Sequence, residues 1–297
     1  MNIGVIGMGA VGMLVAHQLV SNGHHVTCYV RREEQLKQLK QTGISLVEGH
    51  TVYPEVNFTN QINTHELLVV CTKQTQLDPV LQLIETNAHL HGSILFLQNG
   101  MGHIQKLEKL KHESIYVGVC EHGVNKVTDS QIKLNGLGQI KVTSLNSCLN
   151  DSLYNQVSES NFPITVHDHL IKVLNEKLVV NSVINPLTGL YEIRNGEVLD
   201  YFSIEQLAEQ LTREASKSLG LEVDGMWKLV RNICRKTSGN KSSMLIDLEN
   251  GRETEIDYMN GYLANRYPSV PTHNLMTQLI KAKEELKGVE KWTSSQQ

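Results

Sequence analysis

The 297-residue chain carries 27 basic and 31 acidic side chains, and 40% of its residues are hydrophobic. This composition suits a globular protein with a substantial core and excludes collagen-like, disordered and small disulfide-scaffold proteins. The formal net charge of −4 argues against a nucleic-acid partner, and no apolar run approaches the roughly 18 residues of a membrane span. At about 150 residues per domain, the length predicts two domains.

The cysteines and histidines predict neither disulfides nor a metal site. The five cysteines are scattered without a CxxC pair, and the thirteen histidines show no ligand spacing. This pattern is typical of a reducing compartment, so we expect a cytoplasmic protein. The first twenty residues lack a basic segment and are interrupted by glycines, and we interpret them as folded structure rather than as a signal peptide.

The first half of the chain alternates β-rich runs with helical stretches, such as the predicted helix at 10–22. Consecutive apolar positions within these short runs are typical of strands buried on both faces of a parallel sheet. The predicted strands cover residues 2–6, 25–30, 66–72, 93–97 and 115–120, with shorter β segments at 44–58 and 131–143. This alternation predicts an α/β fold with a Rossmann-type, doubly wound sheet.

After about residue 165 the spacing of apolar residues is helical. The predicted helices cover residues 169–184, 203–219, 224–236, 243–249, 254–265 and 273–289. The sequence therefore predicts a first domain, residues 1–166, built on the sheet. An all-helical second domain is predicted for residues 167–297.

A glycine-rich motif joins the first predicted strand to the first helix. Residues 7–12 read Gly7-Met8-Gly9-Ala10-Val11-Gly12, which is G-x-G-x-x-G. The first glycine allows a tight turn, the second lets the backbone approach a pyrophosphate, and the third permits close helix–strand packing. The helix N-terminus then offers backbone N–H groups to the phosphates. We expect these six residues to bind a dinucleotide; the alternative is a glycine-rich turn without a ligand.

The end of the second predicted strand indicates which dinucleotide binds. An NAD enzyme usually has Asp or Glu there, whereas this chain has Val30-Arg31-Arg32. A carboxylate would repel a 2′-phosphate, and a guanidinium can bind it through two hydrogen bonds. Arg31 is therefore a predicted ligand of NADPH. A solvated basic turn beside Glu33 and Glu34 is the alternative.

Two further segments follow predicted strands directly. Lys73 follows the strand at 66–72, and Gln98-Asn99-Gly100 follows the strand at 93–97. Because ligands of open α/β sheets bind beyond the carboxyl ends of the strands, both segments are expected to face the same crevice as the glycine motif.

The second half contains a polar row within an otherwise apolar stretch. Lys177, Asn181 and Asn185 are spaced four residues apart, so they share one face of a helix. Pro186 is expected to end or kink that helix. Spacing alone leaves a solvated face and a functional site equally open.

An ordered set of motifs, spanning residues 1 to 290, resembles the ketopantoate reductase (2-dehydropantoate 2-reductase) family. Besides the glycine motif and Arg31, the motifs are Thr72-Lys73, Leu97-Gln98-Asn99-Gly100-x-Gly102, Lys177-x3-Asn181-x3-Asn185-Pro186-Leu187-Thr188, Asn195-Gly196, Ser242-Ser243-Met244-x2-Asp247 and Thr254-Glu255-Ile256-Asp257-Tyr258-x-Asn260-Gly261. Each motif is modest alone, and the ordered set is specific.

The resemblance implies reduction of 2-dehydropantoate to (R)-pantoate by NADPH, a step of pantothenate and coenzyme A biosynthesis. It implies that Lys177 is the catalytic acid and that Glu255 completes the site, where the family also uses it near the cofactor. The implied substrate-binding residues are Asn99, Asn181, Asn185 and Ser243. The resemblance also implies that Lys73 and Asn99 line the nicotinamide end of the crevice.

The chain departs from the family at residues 119–123, which read Val-Cys-Glu-His-Gly where family members usually carry small hydroxyl residues. This departure leaves open a reductase that acts on another small 2-oxo acid. A non-catalytic NADPH sensor is a further alternative. Cys120 is expected to be a buried structural cysteine rather than a nucleophile, because reduction of a ketone needs none. The helical domain could bury a subunit interface, so a homodimer is also open.

Overall fold

The computed structural model describes residues 1–87, 91–146, 151–167 and 170–289. Within it the chain forms two compact units. The first unit comprises Met1–Gln98 and Gln105–Leu170, and the second comprises Asn99–Ile104 and the residues from Ile171 onward. Cys148 and His169 lie outside the described residues. The predicted α/β fold with a helical C-terminal part is confirmed.

The first unit is built on an eight-stranded sheet. Its strands are β1 (Asn2–Ile6), β2 (His25–Val30), β5 (Glu55–Phe58), β6 (His65–Val70), β7 (His91–Phe96), β8 (Ile115–Cys120), β11 (Ile140–Ser144) and β12 (Ile164–Val166). Their order in the sheet is β12-β11-β8-β7-β6-β1-β2-β5. The six strands from β8 to β5 run parallel in the order typical of dinucleotide-binding folds.

The sheet differs from a wholly parallel one at its far edge. Strand β11 pairs antiparallel with β8, and β12 then pairs parallel with β11. The chain between β8 and β11 forms β9 (Gly123–Lys126) and β10 (Gln131–Gly136) and contains no helix, so it returns to the sheet without the helical crossover that usually joins parallel strands.

A second, four-stranded sheet contains most of the short β segments of the first unit. It consists of β3 (Ile44–Leu46), β4 (Thr51–Val52), β9 (Gly123–Lys126) and β10 (Gln131–Gly136), in the order β4-β3-β10-β9. Both predicted β segments are confirmed as strands, but each contributes to both sheets. Ile44, Val52 and Ile132 of the small sheet are buried in the same core as the first helix.

Helices connect the strands of the first unit. They are α1 (Ala10–Ser21), α2 (Glu33–Thr42), α3 (Leu77–Thr86), α4 (Ile104–Leu107) and α5 (Asp151–Val157). Helix α1 buries eight consecutive residues, from Gly12 to Leu19. It is therefore covered on nearly all sides, which holds the glycine loop at its N-terminus firmly in place.

The second unit is helical, and the described residues 171–289 contain no strand. Its helices are α6 (Leu170–Tyr191), α7 (Phe202–Ser218), α8 (Val223–Lys236), α9 (Ser243–Glu249), α10 (Asn260–Arg266) and α11 (Pro271–Leu286), with 3-10 turns at Gly196–Leu199 and Ile256–Tyr258. Helix α6 continues past Pro186 to Tyr191, so the prediction of a helix ending near residue 184 was wrong. In the described part of the chain, no helix is long and apolar enough to span a membrane.

Candidate functional site

The glycine loop is shaped by contacts that only glycine permits. Gly7 adopts a φ of +94° and donates its N–H to the Tyr29 carbonyl at 3.3 Å. A Cβ at Gly7 would lie 2.7 Å from the backbone nitrogen of Thr72, and one at Gly12 would lie 2.0 Å from the Gly7 carbonyl oxygen. Both glycines are therefore required by the protein's own packing.

Gly9 differs, because the protein itself does not exclude a side chain there. No described atom beyond its chain neighbours lies within 4 Å of a Cβ built at this position. Gly9 is exposed and caps α1 with extended backbone, and it has no side chain that could accept a hydrogen bond from the first turn of that helix. The loop thus presents open space and helix N-terminal N–H groups, the arrangement that binds a pyrophosphate.

The other loop residues face in different directions. The Met8 side chain is buried in the core, and its carbonyl accepts a hydrogen bond from Gln35 Nε2 at 2.7 Å. Only the backbone of Met8 can therefore meet a ligand. Ala10 and Val11 are partly exposed at the start of α1.

The end of β2 presents two adjacent guanidinium groups. Arg32 is paired with Asp129 at 2.5 Å, and Glu33, the first acidic residue after the arginines, is paired with Lys37 at 2.6 Å. Partial burial and the neighbouring charge of Arg32 lower the pKa of Arg31. An anion such as a 2′-phosphate would relieve this repulsion, so the residues present fit NADPH better than NADH.

The ends of β6 and β7 are joined by the buried Gln98 side chain. Its Nε2 donates to the carbonyls of Val70 and Thr72, at 3.0 and 3.2 Å. The half-buried Lys73 follows Thr72 directly and begins a 3-10 turn. Because β1 and β6 are neighbours where the strand order reverses, the glycine loop and Lys73 follow adjacent strands at this switch point.

The segment that departs from the family pattern is engaged in contacts of the first unit. Cys120 is buried at the end of β8, as expected. The Glu121 carboxylate pairs with Lys141 at 2.8 Å, and the His122 ring stacks on Phe162 with 5.1 Å between centroids. Burial lowers the pKa of His122. Local packing therefore gives each of these three residues a structural role.

Helix α6 carries the polar row predicted from the sequence. Lys177 and Asn181 are half-buried, and Asn185 is buried, with 8% of its surface exposed. Two helical steps of four residues separate Lys177 from Asn185, or about 12 Å along one face. The row is therefore not a fully solvated surface, since Asn185 is buried and the other two side chains are half-buried.

Helix α9 is attached to α6 by a pair of hydroxyl groups. Ser242 caps α9 by accepting the Leu245 N–H at 3.1 Å, and its Oγ lies 2.7 Å from Thr188 Oγ1 on α6. Ser243, the predicted substrate ligand, is the first residue of α9 and is exposed. The buried Ser242 thus caps α9 and binds α6, and the exposed Ser243 hydroxyl is available to a ligand.

Glu255 lies in a tightly held segment before α10. Its side chain is buried, and the neighbouring Thr254 N–H is bound by Glu284 Oε1 at 2.8 Å. The Tyr258 carbonyl accepts the Met101 N–H at 3.4 Å. Asn99 and Met101 belong to the short segment Asn99–Ile104. The structure groups this segment with Glu255 in the second unit, although Asn99 follows a strand of the first unit.

No cluster of three or more His, Cys, Asp or Glu side chains in the described residues could hold a metal ion. Among the described residues, Cys28, Cys71, Cys120 and Cys234 form no disulfide. Burial raises the pKa of Cys234 to about 11, so this thiol is protonated at neutral pH and is not activated as a nucleophile.

Comparison with known proteins identifies the family. The ketopantoate reductase PanE/ApbA model matches residues 3–147, and the corresponding C-terminal model matches residues 170–284. The chain belongs to the ketopantoate reductase family. The 2-dehydropantoate 2-reductase of Bacillus subtilis (strain 168) is 39% identical over 269 residues, covering 89% of each chain. The resemblance stated from the motifs is thereby confirmed.

Solved structures agree with this membership. A crystal structure described as a probable 2-dehydropantoate 2-reductase from Bacillus subtilis superposes with a TM-score of 0.82 at 36% identity, covering 95% of this chain and all of the other. A D-mandelate dehydrogenase in complex with NADH and anilino(oxo)acetate reaches a TM-score of 0.91 at 24% identity, covering 98% of this chain and all of the other. The latter similarity shows the fold alone.

Three side chains that hold the helices of the second unit together were not predicted from the sequence. These are Thr188, Ser242 and Asn260. Ser242 could have been found, because serine just before a helix is a typical N-cap. The Asn260 Nδ2 donates to the Ser182 carbonyl on α6 at 2.9 Å, a contact between residues 78 positions apart that no local pattern signals.

Proposed function

We propose that this protein reduces 2-dehydropantoate to (R)-pantoate with NADPH, in pantothenate and coenzyme A biosynthesis. The observation that carries the proposal is the membership of both parts of the chain in one reductase family. The polar row on α6 supplies the matching chemistry. The first unit is the proposed NADP-binding domain, with a boundary near residue 166, and the helical part, 167–297, is the proposed substrate and catalytic domain.

The first unit holds the cofactor through backbone and cationic groups. The loop from Gly7 to Gly12 binds the pyrophosphate, and Arg31 binds the 2′-phosphate. Lys73 and Asn99 contact the nicotinamide end. When bound, the nicotinamide of NADPH supplies the hydride.

The second unit binds the 2-oxo acid and provides the proton. Asn99, Asn181, Asn185 and Ser243 are the proposed substrate ligands. Their amide and hydroxyl groups both donate and accept hydrogen bonds, which suits a small anion with a ketone and a hydroxyl group. The Lys177 ammonium stabilises the negative charge that develops on the ketone oxygen and then donates a proton from Nζ to it. With a hydride added to C2 and a proton added to the oxygen, the C2 ketone becomes a hydroxyl group.

Glu255 completes the proposed site. Its buried carboxylate holds Lys177 in the charged form or accepts a hydrogen bond from the substrate hydroxyl, and it also lies at the cofactor. In a chain of net charge −4, the cationic Arg31 and Lys73 of the first unit attract the anionic cofactor, and the cationic Lys177 of the second unit attracts the anionic substrate.

The test is the loss of reduced-nicotinamide absorbance when purified protein meets 2-dehydropantoate with NADPH or with NADH. We expect rapid turnover with NADPH and little with NADH. Equal turnover with both would preserve the reaction and remove the role of Arg31. NADPH binding without turnover would contradict the proposed substrate and favour another small 2-oxo acid or an NADPH sensor.

The remaining predictions concern the cellular location, the oligomeric state and the partners of the protein. A cytoplasmic location stays a prediction, supported by five cysteines scattered along the sequence without a CxxC pair, a pattern typical of a reducing compartment. A homodimer stays a prediction, which light scattering of the purified protein would test. We propose a small-molecule substrate as the partner of the site, with no nucleic acid and no membrane.

A further inference from the structure

Pro186 creates a hydrogen-bonding problem inside helix α6. Proline has no backbone N–H, so the carbonyl four residues earlier, at Ser182, lacks its usual helical donor. Ser182 is fully buried, and water cannot easily replace that donor. Ser182 lies between Asn181 and Asn185, so an unpaired carbonyl there would weaken the helix where it presents both amides.

Asn260, the first residue of α10, supplies the missing donor. Its Nδ2 lies 2.9 Å from the Ser182 carbonyl oxygen, and both residues are 0% exposed. Because a carbonyl oxygen can only accept, the amide nitrogen of Asn260 must point toward α6. The same Nδ2 lies 3.0 Å from Nδ1 of His273.

His273 fixes the Asn260 amide in this orientation. Its Nε2 lies 2.9 Å from the Leu211 carbonyl oxygen, so Nε2 carries the proton and Nδ1 accepts from Asn260. Burial lowers the pKa of His273, which keeps the ring neutral and Nδ1 available as an acceptor. Three hydrogen bonds thus connect α7, through α11 and α10, to the proline position of α6.

We propose that Asn260 is a positioning residue that fixes the substrate-binding amides of Asn181 and Asn185 through the Ser182 carbonyl. Met259, the residue before Asn260, contacts one of these amides directly, since its sulfur lies 3.7 Å from Asn185 Nδ2. The proposal rests on the proposed function, in which those two amides bind the substrate.

The test compares Asn260→Ala in the wild-type background and in the Pro186→Ala background. In Pro186→Ala, residue 186 regains an N–H for the Ser182 carbonyl, so Asn260 becomes redundant. We expect Asn260→Ala alone to lower kcat/KM for 2-dehydropantoate by about tenfold or more and to leave KM for NADPH unchanged. In the Pro186→Ala background the same change should cost only about two- to threefold. Equal losses in both backgrounds, or an unchanged kcat/KM in folded Asn260→Ala, would overturn the proposal.

A matched control separates positioning from general destabilisation. Thr212 is also 0% exposed in the second unit, and its Oγ1 donates to the Ala208 carbonyl at 2.8 Å within α7. Thr212→Val should lower the melting temperature and leave kcat/KM unchanged. If it lowers kcat/KM as much as Asn260→Ala does, the role of Asn260 is only structural.

Hydrogen exchange provides a readout that does not depend on activity. Amides of α6 near Pro186 should exchange faster in Asn260→Ala and regain protection in the double variant with Pro186→Ala. Unchanged exchange in Asn260→Ala would contradict the proposal. If the wild-type protein does not reduce 2-dehydropantoate, the proposed function fails, and the exchange experiment still decides whether Asn260 holds α6.

Discussion

The glycine loop and the polar face of α6 are built in opposite ways. The loop depends on the absence of side chains, since a Cβ at Gly12 would lie 2.0 Å from the Gly7 carbonyl. The α6 face depends on side chains supported from distant elements, as in the Ser182–Asn260 and Thr188–Ser242 contacts, which span 78 and 54 positions. A site made of backbone is therefore local in the chain, whereas a site made of side chains is assembled by tertiary packing.

The largest effect is expected at Lys177. Lys177→Ala should lower kcat by about 10²–10⁴-fold, because the variant lacks the proton donor, and NADPH binding should not change. Lys172, which is exposed on the same helix, provides the control, and Lys172→Ala should retain normal kcat. Steady-state kinetics and fluorescence titration of NADPH measure both quantities. Near-normal kcat in Lys177→Ala would remove its role as the acid.

The two kinds of glycine in the loop should respond differently to alanine. Gly12→Ala should prevent correct folding of the first unit, because its Cβ overlaps backbone. Gly9→Ala should fold with an unchanged melting temperature and bind NADPH on the order of 10²-fold more weakly, because its Cβ occupies the space meant for the pyrophosphate. Thermal unfolding and NADPH titration distinguish these outcomes. Normal NADPH affinity in Gly9→Ala would refute the pyrophosphate site.

Arg31 and Arg32 form a second matched pair in the first unit. Arg31→Ala should weaken NADPH binding by about tenfold or more and leave NADH binding unchanged, since a charge-assisted hydrogen bond to the 2′-phosphate is lost. Arg32 is already paired with Asp129, so Arg32→Ala should have a smaller effect. KM values for both cofactors provide the comparison. A larger effect from Arg32→Ala would move the phosphate contact to that residue.

The first unit also contains a buried polar network, which should appear in its stability rather than in its kinetics. His65 Nε2 accepts the Tyr29 hydroxyl at 2.7 Å, and its Nδ1 lies 3.0 Å from Asn2 Oδ1. Burial lowers the pKa of His65 from 6.5 to about 4, so the unfolded chain takes up the proton first as pH falls. The contribution of neutral His65 to the free energy of unfolding is therefore fully present above about pH 6.5. It should be lost as the pH falls toward 4, by up to about 3 kcal/mol.

Urea unfolding at several pH values between 4 and 7 tests the His65 prediction. The free energy of unfolding of His65→Gln should be lower than that of wild type at neutral pH and should depend less on pH. An identical pH slope in both proteins would mean that other groups cause the loss of stability in acid. Five histidines in all have pKa values lowered mainly by burial in the ranges 1–87 and 91–146, namely His17, His24, His65, His103 and His122, so a residual slope is expected.

Several features could be predicted from the sequence because their causes are local. The strands β1, β2, β6, β7 and β8 were found because their apolar runs are buried on both faces. Strands β9 and β12 were missed, since they are short and carry no such pattern. The helix predicted at 254–265 begins only at Asn260, because the segment before it is irregular and its Thr254 N–H is bound by the distant Glu284.

The site residues also divide into those predicted from local sequence and those that required the folded structure. The six loop residues and Arg31 were predicted with a physical reason for each, because strand, turn and helix follow one another along the chain. Lys177, Asn181 and Asn185 were predicted to share a helix face, but spacing alone could not distinguish a solvated face from a buried one. Their burial, the exposure of Ser243 beside the buried Ser242, and the support from Asn260 required the folded structure.

The sequence by itself was enough to predict the α/β and helical organisation, the dinucleotide motif and the family. It also predicted a preference for NADPH, from an arginine in place of a carboxylate at the end of β2. Each depends on residues close together in the chain or on motifs in a set order. Only the tertiary structure decided that α6 continues through Pro186, that Asn99 groups with the second unit, and that a distant amide replaces the missing helical donor. The reason is that a buried polar group must find a partner somewhere, and the chain's local pattern does not specify where that partner lies.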